Sequence, residues 1–71
     1  MKEYTVIYKW AGENCSAYVP DLPGCVACGD TVEETEELMK EAIELYIEAL
    51  RNDGQPIPEP TTKARQLAVG T

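Results

Sequence analysis

Cys25-Val-Ala-Cys28 has the spacing of a metal clasp or of a redox pair. A structural zinc site takes four thiolate or imidazole ligands, and this chain holds three cysteines and no histidine. A redox pair of this form works at a helix N-terminus, where the thiolate is stabilised. Here the pair falls in or beside a segment that reads as a strand. Residues i and i+3 of a strand point to opposite faces, so one thiol is expected to pack under a helix and the other to face out. An odd number of cysteines also argues against a disulfide framework.

The carboxylates are the other candidate chemistry. A metal-dependent nuclease of the RNase H type gathers several acids from adjacent strands around Mg²⁺. The strands and turns offer Glu3, Asp21 and Asp30, too scattered to converge. Ser16 has no histidine to activate it. The expectation is a chain without catalytic, metal or cofactor residues. A residual nuclease would show Mg²⁺-dependent RNA cleavage that Asp30→Asn abolishes.

Most remaining acids fall on one stretch, "TVEETEELMKEAIELYIEALRN". The chain carries thirteen Asp and Glu against six Lys and Arg, a net charge of −7. Such a surface repels nucleic acid and anionic lipid, whose nonspecific binding rests on Lys and Arg, and it speeds encounter with a basic partner. Glu37, Glu41, Glu44 and Glu48 form a like-charged ridge on the outer face of this stretch. Glu36–Lys40 and Lys40–Glu44 are the ion pairs its spacing suggests. The ridge is the candidate docking surface for a basic protein.

The elements that carry these residues follow from period and punctuation. "EYTVIYKW" alternates, with Tyr4, Val6, Tyr8 and Trp10 on one face, which predicts a strand over about residues 2–10. "AGEN" is a turn and "CSAYV" a second strand, about 15–19. Pro20 ends it, because proline cannot donate to a ladder. "PDLPG" turns the chain, so Asp21, Leu22, Pro23 and Gly24 are read as structural, and "CVACG" returns as a third strand, about 25–29. Thr31 followed by Glu34 has the capping-box pattern and starts a helix over about 32–52. Its apolar stripe is Leu38, Met39, Ala42, Ile43, Leu45, Tyr46, Ala49 and Leu50. Gly54 closes it. "QPIPEP", about 55–60, reads as an extended exit. Residues 61–71 form a tail, in which Arg65 to Val69 alternates like a fourth strand.

Seventy-one residues make one small domain. Its core is expected to supply only about 3–5 kcal/mol, so self-association or docking is an expected supplement. The fold class is α+β, a two-layer β-β-β-α-β arrangement with a small antiparallel or mixed sheet and one helix on one face. The other sheet face has nothing in this chain to cover it. No long apolar run marks a leader or a membrane span. The expected location is the cytoplasm, with reduced thiols.

The order of Pro20-Asp21-Leu22-Pro23-Gly24-Cys25, then Gly29-Asp30-Thr31, then a helix with Glu41-Ala42-Ile43 resembles the HicB-type antitoxins and their stand-alone relatives. The opening "YTVIY" and the "PIPEP" exit are also similar to that family, so residues 1–60 would be its core. The resemblance implies a partial RNase H-like fold without nuclease residues. It implies a small basic, mRNA-cleaving toxin of HicA type as partner, masked by occlusion, and self-association as a dimer or tetramer. Full antitoxins add a C-terminal DNA-binding domain. Too few residues follow Pro60 for one, so no operator binding is expected. Thr35 stands where alanine is usual, and Cys28 where serine, threonine or alanine is usual, which makes the CxxC spacing accidental. The alternative is an orphan oligomeric module of the same fold with no toxin.

Overall fold

The computed structural model describes residues 2–70, so the expected limits at Met1 and Thr71 lie outside the described residues. Three strands, β1 (Ile7–Trp10), β2 (Cys15–Tyr18) and β3 (Val26–Gly29), precede one helix, α1 (Val32–Asn52). The sheet is antiparallel in the order β1-β2-β3. The α+β expectation of a small sheet under one helix therefore holds, as β-β-β-α.

Proline explains why β1 is shorter than its alternating pattern. Ile7 pairs with Tyr18, so one more step on each strand would set Val6 against Val19, and the next would reach Pro20. Proline has no N–H for the ladder. The Val19 N–H turns away to the Cys25 carbonyl at 3.2 Å. Residues 2–6 thus run on unpaired in this sheet.

The "PDLPG" turn does more than reverse the chain. The Leu22 N–H donates to the Val19 carbonyl, and the Cys25 N–H to the Leu22 carbonyl, each at 3.0 Å. Pro23 then Gly24 is the order of a type II turn, and Gly24 takes the positive φ, +83°, that this turn requires. The tight turn pushes Leu22 inward until it is fully buried, beside Val19, Cys25, Ala17 and Met39.

Thr31 starts the helix as expected. Its backbone is extended, and its hydroxyl accepts the Glu34 N–H at 3.0 Å. At the other end the Gly54 and Gln55 N–H groups donate to Arg51 and Leu50, with Gly54 at φ +68°. That is the Schellman pattern. The fully buried Thr35 ties α1 to the sheet. Its hydroxyl lies 2.7 Å from the Thr31 carbonyl and 3.3 Å from that of Cys15. A Cβ on Gly29 would stand 2.8 Å from the Thr35 oxygen, so the close approach of β3 to α1 depends on that glycine.

Two expectations are corrected. The helix does not bury its whole stripe: Thr35 and Met39 are buried, whereas Leu38 and Leu45 are 38% and 60% exposed and Ala49 is exposed. Three strands about 4.8 Å apart make a sheet only about 10 Å wide, narrower than so broad a stripe needs. The fourth strand does not form either. Among the described residues nothing after α1 is strand, and Leu67 and Val69 are exposed.

Candidate protein-interaction surface

Parity divides the sheet. Tyr8, Ala17 and Ala27 align across the strands on the face under α1, and Cys15 and Gly29 sit buried in the neighbouring row. The opposite face carries Ile7, Tyr18 and Val26 in one row and Lys9, Ser16 and Cys28 in the next. Tyr18 and Val26 are largely exposed. The expected uncovered apolar face exists, built around Ile7; Trp10 lies on the other side, exposed at the strand end.

The cysteine pair follows the same parity. Cys25 is buried in the core, and burial pushes its thiol pKa up. Cys28 is exposed on the far face. The two thiols therefore do not converge. Ser16 is exposed.

The acid ridge is on the solvent side of α1. Glu37, Glu41, Glu44 and Glu48 are all exposed. Lys40 does not pair with Glu36 or Glu44, as the spacing suggested. Its Nζ lies 3.6 Å from Glu37 Oε1, with both side chains largely in water. Exposed pairs differ by a few tenths of a kcal/mol, so a flexible lysine settles on the i+3 neighbour as readily as on i+4. Among the described residues the other three ridge glutamates have no cation within ion-pair distance.

A groove of about 650 Å³ runs along the β1 side of the helix. Tyr4, Val6, Met39 and Ile43 make its apolar wall, and Glu36, Lys40 and Glu44 its helical rim. Burial first, and then the Glu36 carboxylate, push the Tyr8 phenol pKa up, so the ring stays neutral in this wall.

Asp21 holds the exit segment, which the sequence reading did not foresee. Its carboxylate accepts the Thr61 hydroxyl at 3.0 Å, the Thr62 hydroxyl at 2.9 Å and the Thr62 N–H at 3.0 Å. The Thr62 N–H above all, with the two hydroxyls, holds the carboxyl below its ordinary 3.8. Thr5 Oγ1 donates to the Thr62 carbonyl, Tyr4 Oη to that of Pro58, and Lys2 meets Glu59 at 2.7 Å. Asp21 is thus a tie between the turn and the chain beyond the prolines. The Thr-Thr pair just past "PEP" supplies the donors, but its residue types do not specify Asp21 as their acceptor.

The turn, the capped helix and the exit segment together match a known family. Residues 4–69 match the HicB-like antitoxins of bacterial toxin–antitoxin systems. The chain belongs to that family. This HicB-like domain is also 43% identical over 53 residues to a UPF0150 protein of Synechocystis sp., spanning 75% of this chain and 67% of that one. It is 34% identical over 56 residues to a 14.9 kDa protein of Haemophilus phage HP1 from the rep-hol intergenic region, spanning 79% of this chain and 42% of the phage protein. A UPF0150 protein of Archaeoglobus fulgidus is 49% identical over 39 residues, spanning 52% of this chain and 56% of that one. The HicB-like domain therefore spans between 42% and 67% of the length of these relatives. No solved structure matches it. No described helix is long and apolar enough to cross a membrane.

Proposed function

We propose that this HicB-like domain is a non-catalytic antitoxin that covers the RNA-binding and catalytic surface of a small basic toxin ribonuclease of HicA type, in the cytoplasm. The observation that carries the reading is the exposed glutamate face of α1, where Lys40–Glu37 is the one ion pair made on the helix among the described residues. A surface that must bind RNA phosphates is basic, and an acidic ridge is its complement. Glu37, Glu41, Glu44 and Glu48 are the electrostatic contacts in this reading, and the domain itself touches no nucleic acid.

The test is a titration of RNA cleavage by the basic protein encoded beside this gene. The wild-type domain should stop cleavage at equimolar ratio. The triple variant Glu41→Lys, Glu44→Lys, Glu48→Lys should need at least about tenfold more protein, and added salt should weaken the wild type in the same direction. Equal inhibition by both proteins would remove the ridge from the interface. A second reading, an oligomeric adaptor with no toxin, draws on the uncovered row Ile7, Tyr18 and Val26. Recovery from its own lysate of nothing but a discrete oligomer would favour it.

A further inference from the structure

The segment beyond the Asp21 tie has the pattern of a strand and, among the described residues, pairs with none. Lys63, Arg65, Leu67 and Val69 share one parity, and Ala64, Gln66 and Ala68 the other. All thirteen acids of the chain lie before this segment, so it is a basic and apolar ribbon on an acidic body. Its apolar side chains stand in water, Leu67 84% and Val69 76% exposed.

The β3 edge is the complement. β3 pairs with β2 alone, so one side of it presents unpaired backbone groups, a ready template for another strand. The helix overhangs that edge with apolar surface. Met39 and Ile43 turn toward the β1-side groove with Glu36, Lys40 and Glu44. At 100° per residue, Leu38, Leu45 and Ala49 lie around the other flank, toward β3, the strand on which α1 chiefly packs. Glu34, Glu41 and Glu48 border these leucines at i±3 and i±4. The acid row from Glu34 to Glu48 is about 21 Å long, and an extended Lys63–Val69 is about 20 Å.

We propose that residues 63–69 of one copy add as a strand to the β3 edge of a second copy, so that two chains exchange tails. Lys63 and Arg65 would then face the second copy's Glu34 and Glu41, and Leu67 and Val69 would cover its Leu45 and Ala49. Charge selects the occupant: an acidic stretch of the same protein would meet like charge at this edge, and the tail does not. Of the four ridge glutamates the exchange uses Glu41 alone, and the groove lies on the other flank of α1, so the proposal stands whether or not a toxin exists.

Parity gives the test. Cys28 sits on the outer face of β3, and an added strand with its leucine toward the helix puts Ala64, Gln66 and Ala68 on that same outer face. Single substitutions to cysteine at residues 64 to 69 are oxidised with oxidised glutathione and run without reductant. A dimer-sized band is expected from at least one of Ala64→Cys, Gln66→Cys and Ala68→Cys. It should be absent from Arg65→Cys, Leu67→Cys and Val69→Cys, and lost when Cys28→Ser is added. Light scattering should show the wild type as a dimer and Leu67→Asp with Val69→Asp as a monomer of unchanged circular dichroism. A monomeric wild type, a dimer that survives the double substitution, or crosslinks from the wrong parity would overturn the exchange. A crosslink that stays at monomer size would show the strand returning to its own sheet.

Discussion

On the β1 side of the sheet the chain secures itself: Lys2 meets Glu59, Tyr4 the Pro58 carbonyl, Thr5 the Thr62 carbonyl, and Asp21 both threonines. On the β3 side, among the described residues, no strand pairs with the outer edge, and Leu38 and Leu45 stand exposed on the helix. The chain is thus closed by polar ties to a distant segment at the residues leading into β1 and left open at β3, although each outer strand pairs with β2 alone. A closed side sets where the exit segment lies. An open one keeps backbone donors and apolar surface for another chain.

The largest expected effect acts on both sides at once. Leu22 fills the core between them, and Leu22→Ala should cost about 2–5 kcal/mol. For so small a domain that is enough to unfold much of the population at room temperature, which denaturant titration would read. Retention of most of the stability would mean that the turn does not plug the core. Thr31→Ala comes next and acts near the β3 end of the helix. Loss of the cap should cost about 1 kcal/mol, visible as a lower melting temperature. An unchanged melting curve would move the helix start.

A smaller effect should be confined to the closed side. Asp21→Asn keeps the shape but weakens acceptance from Thr61 and Thr62, so the Thr62 amide should exchange with solvent faster while amides of β2 and β3 do not. The carboxyl pKa is depressed in the folded state, so the tie is fully present above the ordinary value of 3.8 and is lost as pH falls through the lower folded value. The threonine resonances should therefore move together below about pH 3.8. Faster exchange throughout the sheet would show that the two sides are not independent. The smallest effect belongs to Lys40→Met. Its ion pair is exposed, and stability should change by less than about 0.5 kcal/mol, so a larger loss would give the groove rim a structural role.

Much of this was legible in local chemistry. Thr31 and Gly54 mark both ends of α1 because caps are made by residues adjacent in sequence. Cys25 and Cys28 diverge because a strand has period two. The Asp21 tie was not legible, since it joins residues about forty positions apart and neither partner's type demands the other. The exposure of Leu38 and Leu45 depends on sheet width, which no single segment encodes. Arg65 to Val69 teaches the same point from the other side. Alternation says that a segment suits a pleated edge, and it does not say which edge.

The nearness of Lys2 to Glu59 bears on how the chain could be rewired. The start of the described chain and the end of the proline segment lie side by side, so in a variant without residues 61–71 a short linker could join them and new ends could be opened in the Gly12–Asn14 hairpin turn. Such a circular permutant would keep the β2-β3-α1 order intact and turn β1 into the closing element. Its folding would show that connectivity through the first hairpin is dispensable, and that packing around Leu22 organises the domain.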